Sequence, residues 1–135
     1  MFSLKLVASL LVMSYVVLSV HGTSVPDPCL AQRRCSTTEQ TVYAVDTQQC
    51  YLFRNICLYT NDYCQRREKK EEELKLVTKE ACLEKCRNFC TEEYFPLCAE
   101  HNGTFETFTN KCELHRNSCQ KDKSYIFNHY GACES

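Results

Sequence analysis

The chain has 135 residues, 12 of them cysteine, and 16 Lys and Arg against 17 Asp and Glu leave a net charge of −1. A cysteine share this high is typical of a small secreted protein that is held together by disulfides rather than by a large apolar core. Because the charges nearly cancel, the composition argues against a partner such as nucleic acid or an anionic membrane surface.

The N-terminal segment has the pattern of a secretory signal peptide. Lys5 provides a basic start, Leu6 to Val20 is an apolar run, and Val20-His21-Gly22 fits a signal-peptidase site. The run is short for a transmembrane helix, which needs about 20 apolar residues. We therefore expect a signal peptide over residues 1–22, a secreted, extracellular mature chain, and no membrane association once the signal has been removed.

All 12 cysteines follow the predicted cleavage point. Their even number in an oxidising compartment predicts six disulfides. Zinc is the alternative ligand for Cys82, Cys86 and Cys90, which recur at helical spacing, but the chain lacks a matching second pair of ligands. We therefore predict no metal site and no cofactor.

The cysteine pattern also indicates an internal repeat. A shift of 62 residues places Cys50 on Cys112 and Cys57 on Cys119, and it aligns Leu, Arg and Asn residues between them. Repeats of this kind are typical of chains built from similar modules. We interpret the pattern as two related six-cysteine modules, the first of them degenerate.

A charged run separates the two predicted modules. Residues 66–73 alternate between basic and acidic side chains, Glu71 and Lys75 are spaced as an i,i+4 pair, and apolar residues continue at helical spacing. This pattern predicts a solvated helix. The expected order is a signal peptide over residues 1–22, a degenerate module over 23–65, a charged helical linker over 66–81 and a second module over 82–135.

The segment between Cys90 and Cys98 resembles the reactive-site segment of Kazal-type serine protease inhibitors. It reads Thr-Glu-Glu-Tyr-Phe-Pro-Leu between the two cysteines, and the cysteine spacing resembles the follistatin-like variety of the family. The resemblance covers Cys86 to Cys133, with three extra residues before Asn110 and a reduced glycine turn as departures. Two further segments are similar to the family, Asn110-Lys111-Cys112 and Tyr130-Gly131-Ala132-Cys133.

The resemblance implies a small disulfide-rich α+β fold of two Kazal-like modules, in which each module packs a short helix on a small antiparallel sheet. The local pattern agrees, because Asn102-Gly103 is a turn signal, Thr104 to Phe108 favours a strand, and Lys111 to Cys119 favours a helix. The disulfides implied for the second module are Cys86–Cys119, Cys90–Cys112 and Cys98–Cys133.

The resemblance also implies a function and a role for each loop residue. Glu92 takes the primary specificity position, the scissile bond is Glu92–Glu93, and the Thr91 and Glu93 side chains hydrogen-bond across that bond. Tyr94 supports the loop, and Asn110 ties the loop to the domain body. The predicted function is therefore inhibition of a serine endopeptidase by a loop that mimics a substrate, without enzyme activity of its own.

A glutamate at position 92 is unusual for such an inhibitor. Its carboxylate suits neither the acidic pocket of trypsin-like enzymes nor the apolar pockets of chymotrypsin-like and elastase-like ones. The predicted partner is a serine endopeptidase that prefers glutamate. The alternative is another secreted protein, which would make the chain a non-inhibitory follistatin-like extracellular binding protein.

The first module is expected to be a poorer inhibitor than the second. Five residues separate Cys29 from Cys35, and we expect this stretch to be too short to lie across a protease cleft. No cysteine precedes Cys29, and Cys64 is extra. The pairs predicted for this module are Cys29–Cys50, Cys35–Cys82 and Cys57–Cys64.

Other candidate chemistry is sparse. The histidines at positions 101, 115 and 129 are scattered, without the order of a catalytic or metal site. Asn102-Gly103-Thr104 is a glycosylation sequon, so Asn102 is the predicted glycan site. Four aromatic residues of the second module are expected to fill its small core: Phe105, Phe108, Phe127 and Tyr130.

Overall fold

The computed structural model describes residues 22, 24–31 and 33–134. The chain divides after Leu30 into two units. In the first unit, Asp27 forms a turn in which its carboxylate accepts a hydrogen bond from the Cys29 amide at 2.9 Å. The second unit is compact and holds the helices and strands given below. The predicted signal peptide lies outside the described residues, apart from Gly22.

Two small sheets and three helices form the compact unit. Their bounds in chain order are β1 Val42–Val45, β2 Cys50–Phe53, α1 Ile56–Lys69, β3 Lys75–Val77, α2 Lys79–Leu83, β4 Leu97–His101, β5 Thr104–Phe108, α3 Lys111–Lys121 and β6 Ile126–Tyr130. One sheet has the strand order β2-β1-β3 and the other β5-β4-β6, and all pairs are antiparallel. The chain is therefore a small disulfide-rich α+β protein.

The two sheets are connected in the same way. In each, a hairpin of two strands is followed by a helix, and the third strand then pairs with the first strand of the hairpin. We refer to residues 35–83 as the first half and to residues 86–133 as the second half. In the second half, the turn at Asn102-Gly103, the strand Thr104–Phe108 and the helix that begins at Lys111 confirm the local predictions.

An asparagine starts the main helix of each half. The Asn55 side chain accepts a hydrogen bond from the Leu58 amide at 3.1 Å, and the Asn110 side chain accepts one from the Glu113 amide at 2.9 Å. Asparagine is among the best residues for this capping role, because its oxygen satisfies an amide that the helix leaves unpaired.

These caps show that the predicted repeat register is wrong. Asn55 and Asn110 are 55 residues apart, and Cys57 and Cys112 follow them at the same displacement. The predicted shift of 62 residues would instead place the cap Asn55 on Asn117, which lies inside α3. The cysteines alone allowed either register, whereas the start of the helix allows only one.

All cysteines of the described residues are in disulfides. In the second half, the pairs are the three that the family resemblance implies. These are Cys86–Cys119, Cys90–Cys112 and Cys98–Cys133.

The first half pairs its cysteines differently from the prediction. The structure contains Cys35–Cys57 and Cys50–Cys82, with Cα distances of 5.6 and 5.0 Å, and Cys29 and Cys64 are also disulfide-bonded. The first turn of α1 brings Cys57 next to Cys35, and α2 brings Cys82 back to β2. The predicted pairs Cys29–Cys50, Cys35–Cys82 and Cys57–Cys64 are therefore wrong.

The charged segment is not the predicted helical linker over residues 66–81. The helix α1 ends at Lys69, and Lys70 follows in the left-handed conformation. The chain then forms β3, which pairs with β1, before the short helix α2. Leu74 is buried with Ala44 and Tyr51, so this segment is packed into the first half.

The helix α3 contacts both sheets. Its Leu114 packs in one cluster with the sheet of the second half, and its Cys119 packs in another with the sheet of the first half. Tyr51 of β2 adds an edge-to-face ring contact with His115 of α3, with ring centroids 4.7 Å apart. Residues of both halves therefore share one core.

His115 makes this shared core sensitive to acid. Burial lowers the pKa of His115 to about 3, and the positive charges of Lys111 and Arg66 lower it further, against the opposing charge of Asp46. Its Nε2 is buried and has no hydrogen-bond partner within the described residues. The folded chain therefore holds this ring as neutral imidazole.

We expect His115→Phe to weaken the dependence of stability on acid pH. An unfolded histidine binds a proton below about pH 6.5. The folded chain does so only near pH 3, so its stability falls as the pH drops through this interval, by up to about 1.4 kcal/mol per pH unit. Phenylalanine keeps the ring contact with Tyr51 but cannot titrate.

Urea unfolding between pH 7 and pH 3.5 measures this effect. The difference between parent and His115→Phe should grow steadily as the pH falls. His129→Phe, which changes a histidine of the edge strand β6, serves as the control. Parallel pH profiles for the parent and His115→Phe would contradict the prediction.

Candidate functional site

The exposed segment that precedes β4 is fixed at both of its ends. We call residues 91–97 the 91–97 loop. Cys90 joins its start to Cys112 in the first turn of α3, and Cys98 joins its end to Cys133. Residues 91–95 between these anchors are exposed to solvent. The loop therefore projects from the protein while the disulfides limit its motion.

Asn110 fixes the middle of the loop. Its side chain is buried, and its Nδ2 donates hydrogen bonds to the carbonyls of Thr91 at 3.2 Å and Glu93 at 2.7 Å. The Oδ1 of the same residue caps α3. One side chain thus fixes the main chain on both sides of Glu92 and couples it to the start of a helix.

The end of the loop is held by main-chain hydrogen bonds that sequence reasoning missed. The Phe95 amide donates to the carbonyl of Thr109 at 2.9 Å, and the Gly131 amide donates to the carbonyl of Pro96 at 2.8 Å. Gly131 has a φ of 95°, a conformation that favours glycine. The glycine in the segment Tyr130-Gly131-Ala132-Cys133 was the only sequence signal for this contact.

Three of the four aromatic residues that were expected in the core are instead on the surface. Phe108 is buried, whereas Phe105, Phe127 and Tyr130 are 53%, 48% and 61% exposed. They lie on β5 and β6, which are the outer strands of a sheet with one covered face. Tyr130 contacts the ring of Phe95 edge-to-face at a centroid distance of 5.3 Å, so part of this aromatic surface adjoins the loop.

The predicted site residues lie together on the loop, but their contacts differ from the expectation. Glu92 is exposed, and its carboxylate has no hydrogen-bond or ion-pair partner within residues 33–134. No hydrogen bond of the described chain joins the side chains of Thr91 and Glu93, so their main-chain carbonyls are the groups that are held. Tyr94 is 75% exposed and makes no ring contact with the described residues.

The predicted glycan site Asn102 lies at the exposed turn between β4 and β5. Asn102 and Gly103 both have positive φ values, 51° and 79°. The Asn102 Oδ1 accepts a hydrogen bond from the buried Arg54, which comes from the first half. The sequon is thus in an exposed turn, as the turn signal predicted, and glycosylation there stays a prediction.

Two other kinds of site were searched for in the structure. Within the described ranges, no cluster of three or more His, Cys, Asp or Glu side chains could hold a metal ion. None of the helices in the described part of the chain is long and apolar enough to cross a membrane.

Comparison with known proteins finds short curated relatives. The chain is 35% identical over 48 residues to Turripeptide OL11-like of Lophiotoma albina, a match that covers 36% of this chain and 100% of that peptide. It is 38% identical over 52 residues to Kazal peptide Pr13a of Platymeris rhadamanthus, covering 36% of this chain and 71% of the relative.

A vertebrate protein gives a similar match. The chain is 36% identical over 45 residues to Acrosin inhibitor 1 of Bos taurus, covering 33% of this chain and 67% of the relative. No family model matches the chain. No solved structure matches it significantly either.

Proposed function

Because the chain belongs to the Kazal-type serine protease inhibitor family, we propose that it is a secreted inhibitor that uses the 91–97 loop as its substrate-like reactive site. The observation that carries this proposal is the pair of hydrogen bonds from Asn110 to the carbonyls on either side of Glu92. They support a scissile bond between Glu92 and Glu93, with Glu92 as the primary specificity residue.

The constraints on the loop account for inhibition in physical terms. A loop that is already ordered loses little conformational entropy when it enters a protease cleft, so more of the contact energy remains as affinity. If the protease cuts after Glu92, the disulfides Cys90–Cys112 and Cys98–Cys133 keep both new ends attached to the domain. The ends cannot diffuse away, which favours resynthesis of the bond over release of a product.

The side chain of Glu92 restricts the class of target. Burying a carboxylate without a partner costs several kcal/mol. A pocket that accepts Glu92 must therefore provide a positive charge or several hydrogen-bond donors. We propose that the target is a serine endopeptidase that prefers glutamate at the cleavage site.

The test is a change of specificity at position 92. The full chain, expressed through an oxidising secretory route, should inhibit a glutamate-specific serine endopeptidase. Glu92→Lys should lose that inhibition and should inhibit a trypsin-like enzyme at least ~10-fold more strongly than the parent does, because the new ammonium group pairs with the acidic pocket. Inhibition constants from steady-state titration measure both effects.

Glu93→Lys is the matched control, because it places the same charge one residue away from the primary specificity position. It should not gain inhibition of the trypsin-like enzyme. The proposal fails if Glu92→Lys is cut after residue 92 as fast as the reduced and alkylated chain, or if neither the parent nor Glu92→Lys inhibits any of these enzymes. In the latter case, a binding role without inhibition would replace it.

A further inference from the structure

A second exposed loop, in the first half, has the same support as the 91–97 loop. We call residues 36–40 the 36–40 loop. Asn55 is buried, and its Nδ2 donates hydrogen bonds to the carbonyls of Ser36 at 2.9 Å and Thr38 at 3.0 Å. Asn110 does the same for the carbonyls on either side of Glu92. In both halves, the same asparagine also caps the helix.

Two further contacts repeat at the same displacement of 55 residues. A disulfide joins the residue before each loop to the first turn of the helix, and both disulfides span 22 residues. A main-chain hydrogen bond, of 2.8 Å in the first half and 2.9 Å in the second, holds the end of each loop. The corresponding pairs are Cys35–Cys57 and Cys90–Cys112 for the disulfide, and Gln40–Arg54 and Phe95–Thr109 for the hydrogen bond.

We propose that the 36–40 loop is a second protease-binding loop, with Thr37 in the position that Glu92 occupies in the other loop. This inference rests on the function proposed for the 91–97 loop. Residues 36–40 are all exposed, so a protease could reach them. The expectation that the first half is a poorer inhibitor considered the stretch between Cys29 and Cys35, whereas the braced loop follows Cys35.

The side chain of Thr37 determines the class of enzyme. It is short, branched and uncharged, so it fits the small primary pocket of elastase-like serine endopeptidases and cannot fill or charge-match the deeper pockets. Glu92 needs a pocket of different chemistry. The two loops would therefore bind two different classes of serine endopeptidase.

Arg54 distinguishes the 36–40 loop from the 91–97 loop. It is buried, its Nε donates a hydrogen bond to the Thr37 carbonyl at 2.8 Å, and its guanidinium also lies 3.7 Å from the Glu39 carboxylate. A carbonyl oxygen has two lone pairs, so a protease must share or replace the bond from Arg54. We therefore expect the 36–40 loop to bind more weakly than the 91–97 loop.

The test introduces lysine into the 36–40 loop of the full chain. Thr37→Lys should inhibit a trypsin-like enzyme at least ~10-fold more strongly than the parent, as the charge pairs with the acidic pocket. Thr38→Lys is the matched control, because it puts the charge one residue beyond the specificity position, and it should show no gain. Mass spectrometry of reduced samples measures how much chain is cut after residue 37 or 38.

A second variant tests the role of Asn55. Thr37→Lys combined with Asn55→Asp should lose the gain, because aspartate still caps the helix but has no amide to hold the two carbonyls. The inference is overturned if Thr37→Lys inhibits no better than Thr38→Lys, or if it is cut as fast as the reduced and alkylated chain. It is also overturned if the Asn55→Asp change leaves the gain intact.

Parallel assays separate this inference from the proposed function. If Glu92→Lys inhibits the trypsin-like enzyme and Thr37→Lys does not, the 91–97 loop is functional and the second loop is rejected. The reverse result rejects the 91–97 loop and supports the second loop. With an elastase-like enzyme, inhibition by the parent that Thr37→Asp removes supports the small-pocket class, and absence of inhibition by the parent overturns that class.

Discussion

Replacing Asn110 with Ala is expected to lower the free energy of unfolding by about 2 kcal/mol and to weaken protease inhibition about 100-fold. The stability loss has two sources, since the α3 cap disappears and the Thr91 and Glu93 carbonyls lose their partner. The affinity loss follows because a protease must then order a loop that the parent presents already ordered. Urea unfolding and inhibition constants measure the two effects.

Asn110→Asp separates the helix role of this residue from its loop role. Aspartate caps helices about as well as asparagine, so most of the stability should return. Its carboxylate cannot donate to the two carbonyls and repels them, so inhibition should stay weak and the loop should be cut. Recovery of full inhibition in Asn110→Asp would show that the hydrogen bonds to the loop are not needed.

The double replacement Cys50→Ala and Cys82→Ala is expected to lower the free energy of unfolding by about 2–5 kcal/mol, because it removes a buried disulfide from a small domain. Unfolding should remain a single transition. Cys50 packs in the same cluster as Cys119 of α3, so the second half loses contacts when the first half opens. Calorimetry and near-ultraviolet circular dichroism measure the transition.

The control for this experiment is Cys35→Ala with Cys57→Ala, which removes a disulfide from the edge of the 36–40 loop. Cys35 and Cys57 are partly exposed, and neither belongs to the buried clusters, so a smaller loss is expected. Two separate transitions after removal of Cys50–Cys82, with only the first shifted to lower temperature, would contradict a shared core. They would agree instead with two independent modules.

The second half was predictable because its signals are local. An Asn-Gly turn, a β-branched and aromatic strand at Thr104–Phe108 and an asparagine before Lys111 each act within a few residues. The family resemblance then supplied the disulfides and pointed to Asn110. The main-chain bonds that hold the end of the 91–97 loop were not predictable, since any residue except proline provides the same amide and any residue the same carbonyl.

The first half was harder because its distinguishing contacts are distant in sequence. Cys50 lies at the start of β2 and its partner Cys82 lies in α2, so their pairing depends on how β3 returns to β1. Charge alternation in residues 66–73 could not reveal β3, which has only three residues and is too short for a clear period. The helix cap at Asn55 was visible, but alignment on cysteines hid it.

The hydrogen bonds from Asn110 reach carbonyl oxygens, which every amino acid carries, rather than the side chain of Glu92. A single codon change at position 92 can therefore alter which enzyme the protein recognises while the supporting contacts stay intact. Selection can retarget such a loop without first rebuilding the fold. Variation among descendants of this chain should thus concentrate at the exposed tip of the loop, with the asparagine behind it retained.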